Sequence, residues 1–219
     1  DDGNRVVLSL TLEVQRYILP EPGERSYHLD LWQHPTAVAR AEGLELWSDA
    51  HFEALQRNMM LLANAGQKVI TATLNKDPWN HQCYDGYAPM IEWRLRSDGS
   101  WSYNYDVFDR WVEMMMNLGI DKMINCYSMI PWNCELEYFD EAKGEVVTVV
   151  ANPGTPAFAE LWHPFLLDFK SHLSDMGWLG ITNIAVDERA PEQMDAAVEL
   201  LAECAPEMGF AIADMHKSY

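Results

Sequence analysis

The sequence predicts an α/β protein of the (β/α)8 TIM-barrel type, with only the first five or so βα units present in this chain. Three observations predict it. Amphipathic segments repeatedly close on a glycine that is followed at once by an apolar run, as in "LLANAGQKVITATL", "MMMNLGIDKMINCY", "LSDMGWLGITNIAV" and "CAPEMGFAIADM". Five short apolar runs alternate with four helical segments, the pattern of a parallel sheet with crossover helices. Two stretches of alternating character, "IEWRLRSDGSWSYNY" about Asp98-Gly99 and "ELEYFDEAKGEVVTVV" about Lys143-Gly144, read as hairpins. Each lies between a strand and the next helix, so both decorate the C-terminal ends of the strands, where α/β barrels carry their chemistry.

The elements follow in order. The opening "VVLSLTLEV" alternates Leu8, Leu10, Leu12 and Val14 with polar residues and reads as a half-exposed antiparallel strand, with "LPEPG" as a linker. Residues 1–22 are therefore assigned to a strand and linker from a preceding β domain, which is β-sandwich-like only by the family resemblance set out below, and residues 23–219 to the N-terminal part of the barrel. The barrel strands are His28–Trp32, Lys68–Leu74, Lys122–Tyr127, Thr182–Val186 and Phe210–Met215. The first helix carries Phe52, Leu55, Met59 and Leu62 at helical spacing behind Ser48 or Asp49 as cap. The second carries Phe108, Trp111, Met115 and Leu118. The third opens at Thr155-Pro156, a cap followed by proline in the first turn. It runs through Phe158, Leu161, Phe165 and Phe169 to Leu173, and Pro164 should kink or split it. The fourth begins near Pro191, uses Met194, Val198 and Leu201, and stops at Pro206. Gly66, Gly119, Gly177 and Gly209 are placed as helix C-terminal residues, where the left-handed conformation favours glycine. Eight strands close such a barrel, so five form either an open sheet or the first part of a longer barrel; the second is favoured, with the remaining strands and the preceding β domain as its expected covalent partners.

Composition narrows the function. The 219 residues are 48% hydrophobic and 22% charged, enough for a real core. Lys+Arg 15 against Asp+Glu 34 gives a formal charge of −19, which repels nucleic acid and anionic membrane surfaces. No apolar run is long enough to cross a bilayer, so no membrane insertion is expected. The cysteines Cys83, Cys126, Cys134 and Cys204 form no C-x-x-C pair, which disfavours a zinc site of that kind. Cys126 and Cys204 read as buried thiols, and a Cys126–Cys134 or Cys83–Cys134 disulfide is open for an exported protein. Phosphate-loop, dinucleotide, nucleophile-elbow and zinc-protease motifs are absent, and the seven histidines lack ligand spacing. No cofactor or metal is expected, and acid–base chemistry on carboxylates is the strongest remaining proposal.

The residues just past each strand carry that chemistry. "ITNIAVDERAP" is a core strand that ends in two adjacent carboxylates, Asp187 and Glu188, where unpaired charge is expensive. The other strand ends bring Trp32, Trp79, Tyr127, Trp132 and His216. Aromatic faces beside acids suit a sugar, whose apolar ring face packs on indole while polar groups take its hydroxyls. Trp93, Trp101 and Trp111 read as structural, and His163 and His172 as surface or satisfied core residues. A purely structural account makes Asp187 and Glu188 a cap and first-turn acid for the helix at Pro191. It leaves one acid superfluous, and Arg189 would serve as a charge partner.

"LDLWQHP", "NKDPWN" and above all "VDER" resemble the catalytic barrel of glycoside hydrolase family 123, retaining β-N-acetylgalactosaminidases related to a wider group of secreted bacterial proteins. The resemblance runs from about His28 to the end, and the Asp-Glu pair is its one specific catalytic signature. It implies hydrolysis of terminal β-linked N-acetylgalactosamine with retention, an extracellular or periplasmic location, and a glycan as partner. It also implies roles: Glu188 as general acid, then base, and Asp187 as the residue that holds the substrate's 2-acetamido group while its carbonyl oxygen attacks the anomeric carbon. The nucleophile then belongs to the substrate, unlike the usual pair of flanking carboxylates. Trp32, Trp79, Tyr127, Trp132 and His216 are assigned to substrate on position alone. Two rival readings remain: a retaining glycosidase with a carboxylate nucleophile on a later strand, and a non-catalytic carbohydrate-binding barrel.

Overall fold

The computed structural model describes residues 7–213. In chain order the elements are α1 (Pro35–Glu42), α2 (Asp49–Ala65), β1 (Val69–Thr73), β2 (Glu92–Leu95), β3 (Trp101–Asn104), α3 (Asp106–Asn117), β4 (Met123–Tyr127), β5 (Glu135–Asp140), β6 (Glu145–Val150), α4 (Pro156–Asp175), β7 (Thr182–Asp187), α5 (Pro191–Cys204) and β8 (Gly209–Ala213), with single 3-10 turns at Pro22–Glu24 and Leu179–Ile181. The fold is mixed α/β. Strands β1, β4, β7 and β8 form one parallel sheet in sequence order. Helices α3, α4 and α5 connect those strands, as parallel pairing requires.

Strand period sorts the sheet into two faces. One series, Ile70, Ala72, Ile124, Cys126, Ile184 and Val186, is fully buried in the main core. The other is polar at one end and aromatic at the other. Thr71, Asn125, Asn183 and Gly209 share one row of the register, and Thr73, Tyr127, Ala185 and Ala211 the next. Asp187 lies one further step along the same face of β7, opposite Ala213. The first row is tied together across strands, since Asn183 Nδ2 donates to Asn125 Oδ1 at 2.9 Å.

The two predicted hairpins are present and join each other. Strands β2–β3 and β5–β6 are antiparallel pairs, and β2 pairs with β5 in parallel, giving a second sheet of order β3-β2-β5-β6. Its inner face packs on α4. Trp93 stacks on Phe165 with ring centroids 4.2 Å apart and meets Trp162 edge-on at 5.2 Å. Burial of these large rings holds the hairpin sheet to α4.

Several expectations are corrected. His28–Trp32 forms no ladder strand. It meets the chain just before β1 through a single parallel bridge, Leu29 to Gln67. Two glutamine side chains replace the missing ladder. Leu31 N–H donates to Gln67 Oε1 at 3.0 Å, Gln67 Nε2 donates to Leu31 O and Val69 O, and Thr71 N–H donates to Gln33 Oε1 at 2.7 Å. Backbone groups need partners, and a side-chain amide supplies donor and acceptor as a peptide does. Residues 7–14, in the run read as a β strand, join no ladder among the described residues; Leu8 is 88% exposed and Val14 91%. A short helix, α1, was not anticipated, although it has proline at its first position and a left-handed Gly43 at its end. Helix α4 runs unbroken through Pro164, because Leu161 and Trp162 before it and Phe165 and Phe169 after it are buried in one core. Val198, expected inward on α5, is 40% exposed, while Ala197, Leu200 and Leu201 are buried. Gly66, Gly119 and Gly177 are left-handed as expected, with φ between 75° and 92°. Gly209 is not: it opens β8, and a Cβ there would lie 1.8 Å from Asn183 Oδ1. No disulfide forms among Cys83, Cys126, Cys134 and Cys204; Cys83 is exposed and the others are buried. The expected end of the fifth strand at Met215 lies outside the described residues, as does His216.

Candidate active site

Six of the seven residues singled out from sequence, all but His216, meet at the C-terminal end of the parallel sheet. Asp187 is the last residue of β7 and is half-buried; Glu188 follows it and is exposed. Neither caps α5. That helix begins at Pro191 behind Ala190, which makes no side-chain cap bond, and its first-turn acid is Glu192. The cap account of the pair therefore fails.

Asp187 is held from two sides. Its Oδ2 accepts from the Trp132 indole Nε1 at 2.8 Å, and its Oδ1 accepts from the backbone N–H of Glu188 at 2.9 Å. Trp132 is fixed in turn by the β1 loop, since its backbone N–H donates to Pro78 O at 2.9 Å. Arg189 supports the same residue and is not the charge partner expected of it. Its guanidinium lies 4.9 Å from the Trp132 ring centroid, Nη1 donates to Trp132 O at 3.2 Å, and Nη2 approaches Cys134 Sγ at 3.6 Å. Among the described residues it forms no ion pair with either acid.

The aromatic floor lies beside this dyad. Trp32, Trp79 and Tyr127 form a triangle with each pair of ring centroids 5.0 Å apart, and Tyr87 backs Trp79 at 4.4 Å. Trp79 and Tyr127 are 3% and 2% exposed, whereas Trp32 is 40% exposed and offers a face to solvent. Trp132 packs against the same cluster. Burial pushes the Tyr127 hydroxyl well above the usual phenol range, and the nearby Asp30 and Asp187 charges add to that, so it stays a neutral O–H.

Sequence reasoning missed three members of this region. Tyr87 comes from the long β1–β2 loop, where Asp77 organises the turn by accepting from His81 N–H at 2.9 Å. His34 stacks on Tyr87 at 3.6 Å. Asp30 points at the polar row: Asn125 Nδ2 donates to its Oδ2 at 3.4 Å, while its Oδ1 is buried with no hydrogen-bond partner. Desolvation raises its pKa above the usual carboxylate value, offset in part by His28 and Asn125. A signal for the polar row was present. Asn125 and Asn183 each stand in an apolar strand, and Tyr127 and Asp187 lie on the same faces at even spacing. Among the described residues no group of three His, Cys, Asp or Glu is placed to hold a metal ion, and no helix is long and apolar enough to cross a membrane.

An α/β fold with two acids at a parallel strand end, one of them hydrogen-bonded to an indole beside an aromatic floor, has the ingredients of a carbohydrate-active domain. Comparison with known proteins is more specific. The family model described as "Glycoside hydrolase 123, catalytic domain" matches residues 32–219, and the chain belongs to that family. Among solved structures, the chain is similar to a family 123 glycoside hydrolase from Clostridium perfringens, studied for glycolipid glycan hydrolysis. The two share 34% sequence identity with a TM-score of 0.83 over 90% of this chain. The chain spans 36% of the length of that one. A search of curated proteins returned no match.

Proposed function

We propose that this domain hydrolyses terminal β-linked 2-acetamido sugars, N-acetylgalactosamine foremost, with retention and with the substrate's own acetamido group as nucleophile. The observation that carries the reading is the unequal setting of two adjacent acids: Asp187 is anchored to the Trp132 indole at 2.8 Å, and Glu188 stands exposed beside it. Family membership and the likeness to the Clostridium perfringens hydrolase support it. In this reading the parallel sheet is the first part of a (β/α)8 barrel whose mouth holds the sugar. The expected setting is extracellular or periplasmic.

The roles follow from the positions. A carboxylate offers about four acceptor sites. Asp187 uses two of them on Trp132 and on Glu188 N–H, which leaves capacity for the acetamido N–H of a bound sugar. As the acetamido carbonyl oxygen attacks the anomeric carbon, the C–O bond to the leaving group breaks, and positive charge builds on the amide beside Asp187. Glu188, protonated, gives its proton to the leaving oxygen. In the second half a water adds at the anomeric carbon, Glu188 takes its proton, and the acetamido oxygen is released. Two displacements on one centre give net retention. Neither acid attacks the sugar, so adjacent positions suffice. Trp32 and Trp132 would contact the sugar, with Trp79 and Tyr127 holding Trp32 from below.

The test uses the full-length protein on paired aryl glycosides that carry 2-acetamido or 2-hydroxy groups. Glu188→Gln should abolish turnover of substrates with poor leaving groups, and Asp187→Ala should hurt 2-acetamido substrates most. Unchanged rates in both variants would sink the assignment. Equal loss on both substrate types would favour a carboxylate nucleophile elsewhere, and glycan binding without hydrolysis would favour a lectin-like barrel.

A further inference from the structure

Arg189 directly follows two carboxylates and forms an ion pair with neither. Arg40, Arg57, Arg94 and Arg110 each meet an acid within 3.6 Å, as expected of cations in a chain with 34 acidic residues. The Arg189 guanidinium lies instead against the turn from Pro131 to Cys134, which closes where Cys134 N–H donates to Pro131 O at 2.9 Å. Nη1 donates to Trp132 O at 3.2 Å and Nη2 approaches Cys134 Sγ at 3.6 Å. Nε is buried and has no hydrogen-bond partner among the described residues. The charge itself sits 4.9 Å from the Trp132 ring centroid.

This placement suits the chemistry better than a salt bridge would. A guanidinium paired with Asp187 would occupy the acceptor sites that an acetamido N–H needs, and would offset the charge meant to face the developing cation. Paired with Glu188, it would favour the carboxylate form, which has no proton to give. Set against the indole, it does neither. A cation near an aromatic ring attracts the ring's electrons, and a donor polarised in that way makes a stronger hydrogen bond. The polarised N–H is Trp132 Nε1, 2.8 Å from Asp187 Oδ2. The same fork fixes the ring from one side of the turn, while Pro78 O holds the Trp132 backbone N–H at 2.9 Å from the other chain segment.

We infer that Arg189 is a positioning residue of the reaction, acting through the Trp132 indole to orient and strengthen the bond that holds Asp187. The inference rests on the function proposed above and adds to it a residue that hydrogen-bonds neither acid. It also accounts for the residue type. Lysine carries the charge but has no planar fork to span Trp132 O and Cys134 Sγ together.

The experiment places Arg189→Met and Arg189→Lys in the full-length protein, each with Trp132 intact and with Trp132→Phe, and follows steady-state kinetics on a 2-acetamido aryl glycoside. With Trp132 intact, Arg189→Met should lower kcat about fivefold and keep KM within about twofold, and Arg189→Lys should lower kcat about threefold. In the Trp132→Phe background the same substitutions should change kcat by less than about 1.5-fold, because no N–H remains to polarise. Equal losses in the two backgrounds mark Arg189 as a structural tether and overturn the inference, as does an unchanged kcat in Arg189→Met. Gln193→Ala controls for loosening of the turn, since Gln193 Nε2 reaches Cys134 Sγ at 3.9 Å. Its kcat should stay within about twofold of wild type, and a fall as large as that of Arg189→Met overturns the inference. Should Arg189→Met fail to fold, Arg189→Lys carries the comparison between backgrounds. Asp187→Ala separates the two readings. If wild type does not turn over the 2-acetamido substrate, or Asp187→Ala leaves turnover intact, the proposed function fails and takes this inference with it. If Asp187→Ala abolishes turnover while the Arg189 variants lose equally in both backgrounds, only the role of Arg189 fails.

Discussion

Trp132→Phe isolates one hydrogen bond of the site. Phenylalanine keeps an aromatic ring in contact with Arg189, whose guanidinium lies 4.9 Å from the indole centroid, and keeps the backbone bond to Pro78 O at 2.9 Å. It deletes the N–H that reaches Asp187 Oδ2 at 2.8 Å. A hydrogen bond to a charged group contributes about 1.5–3 kcal/mol. Asp187 is half-exposed, so water can partly replace the lost donor, and the low end of that range, about 1.5 kcal/mol, is expected. If the bond fixes Asp187 where positive charge builds on the acetamido group, that loss falls on the transition state and lowers kcat/KM about tenfold. Steady-state kinetics on a 2-acetamido aryl glycoside measures it, with the 2-hydroxy analogue as control. The 2-hydroxy sugar has no acetamido group for Asp187 to hold, so its residual turnover should change far less. Equal kcat/KM for wild type and Trp132→Phe on the 2-acetamido substrate would refute the claim that the indole positions Asp187.

Two further outcomes concern the polar row beneath the site. Gly209→Ala places a Cβ 1.8 Å from Asn183 Oδ1, so Asn183 must swing away and lose its 2.9 Å bond to Asn125; urea titration should show a loss of about 1–3 kcal/mol. Most of that loss should vanish when Gly209→Ala is made in an Asn183→Ala background, and strict additivity would disprove the collision. Asp30→Asn tests a titration. Because burial raises the folded-state pKa of Asp30, the folded protein binds its proton more tightly than the unfolded chain, and stability falls as pH rises from the ordinary carboxylate value to the raised one. The variant removes that loss, so its thermal stability relative to wild type should increase with pH across this window and then level off; a constant difference would contradict the assignment.

Legibility in the sequence follows the range of the interactions involved. Helices α2 to α4 and the strands β1, β4 and β7 were readable because their signals are local: a cap, an apolar period, a left-handed glycine. The failures have non-local causes. Leu29 to Gln33 has strand-like composition, but two glutamine amides take the bonds a ladder would have made. Gly209 looked like the other three glycines, yet it is needed for room beside Asn183 on the neighbouring strand. The joining of the two hairpins into one sheet depends on β2 and β5, some 40 residues apart in the chain, finding each other. Arg189 looked like a partner for the adjacent acids because sequence shows neighbours and not directions.

Direction also explains why two adjacent carboxylates are not redundant. Asp187 continues the series Asn183, Ala185 on the face of β7 opposite Ile184 and Val186, and that periodicity delivers it to the Trp132 indole. Glu188 is the first residue beyond the ladder, released from the alternation and left exposed at the strand end. One acid is therefore held in place by the sheet, suited to stabilising charge at a fixed point. In the proposed mechanism the other exchanges protons with a leaving group and then with water. A single step along the chain at the end of a strand is enough to separate these tasks. Moving the strand end by one residue, with both acids inside the ladder, would point Glu188 into the apolar layer of Ile184 and Val186 and remove the proposed acid–base group from the exposed end of the strand.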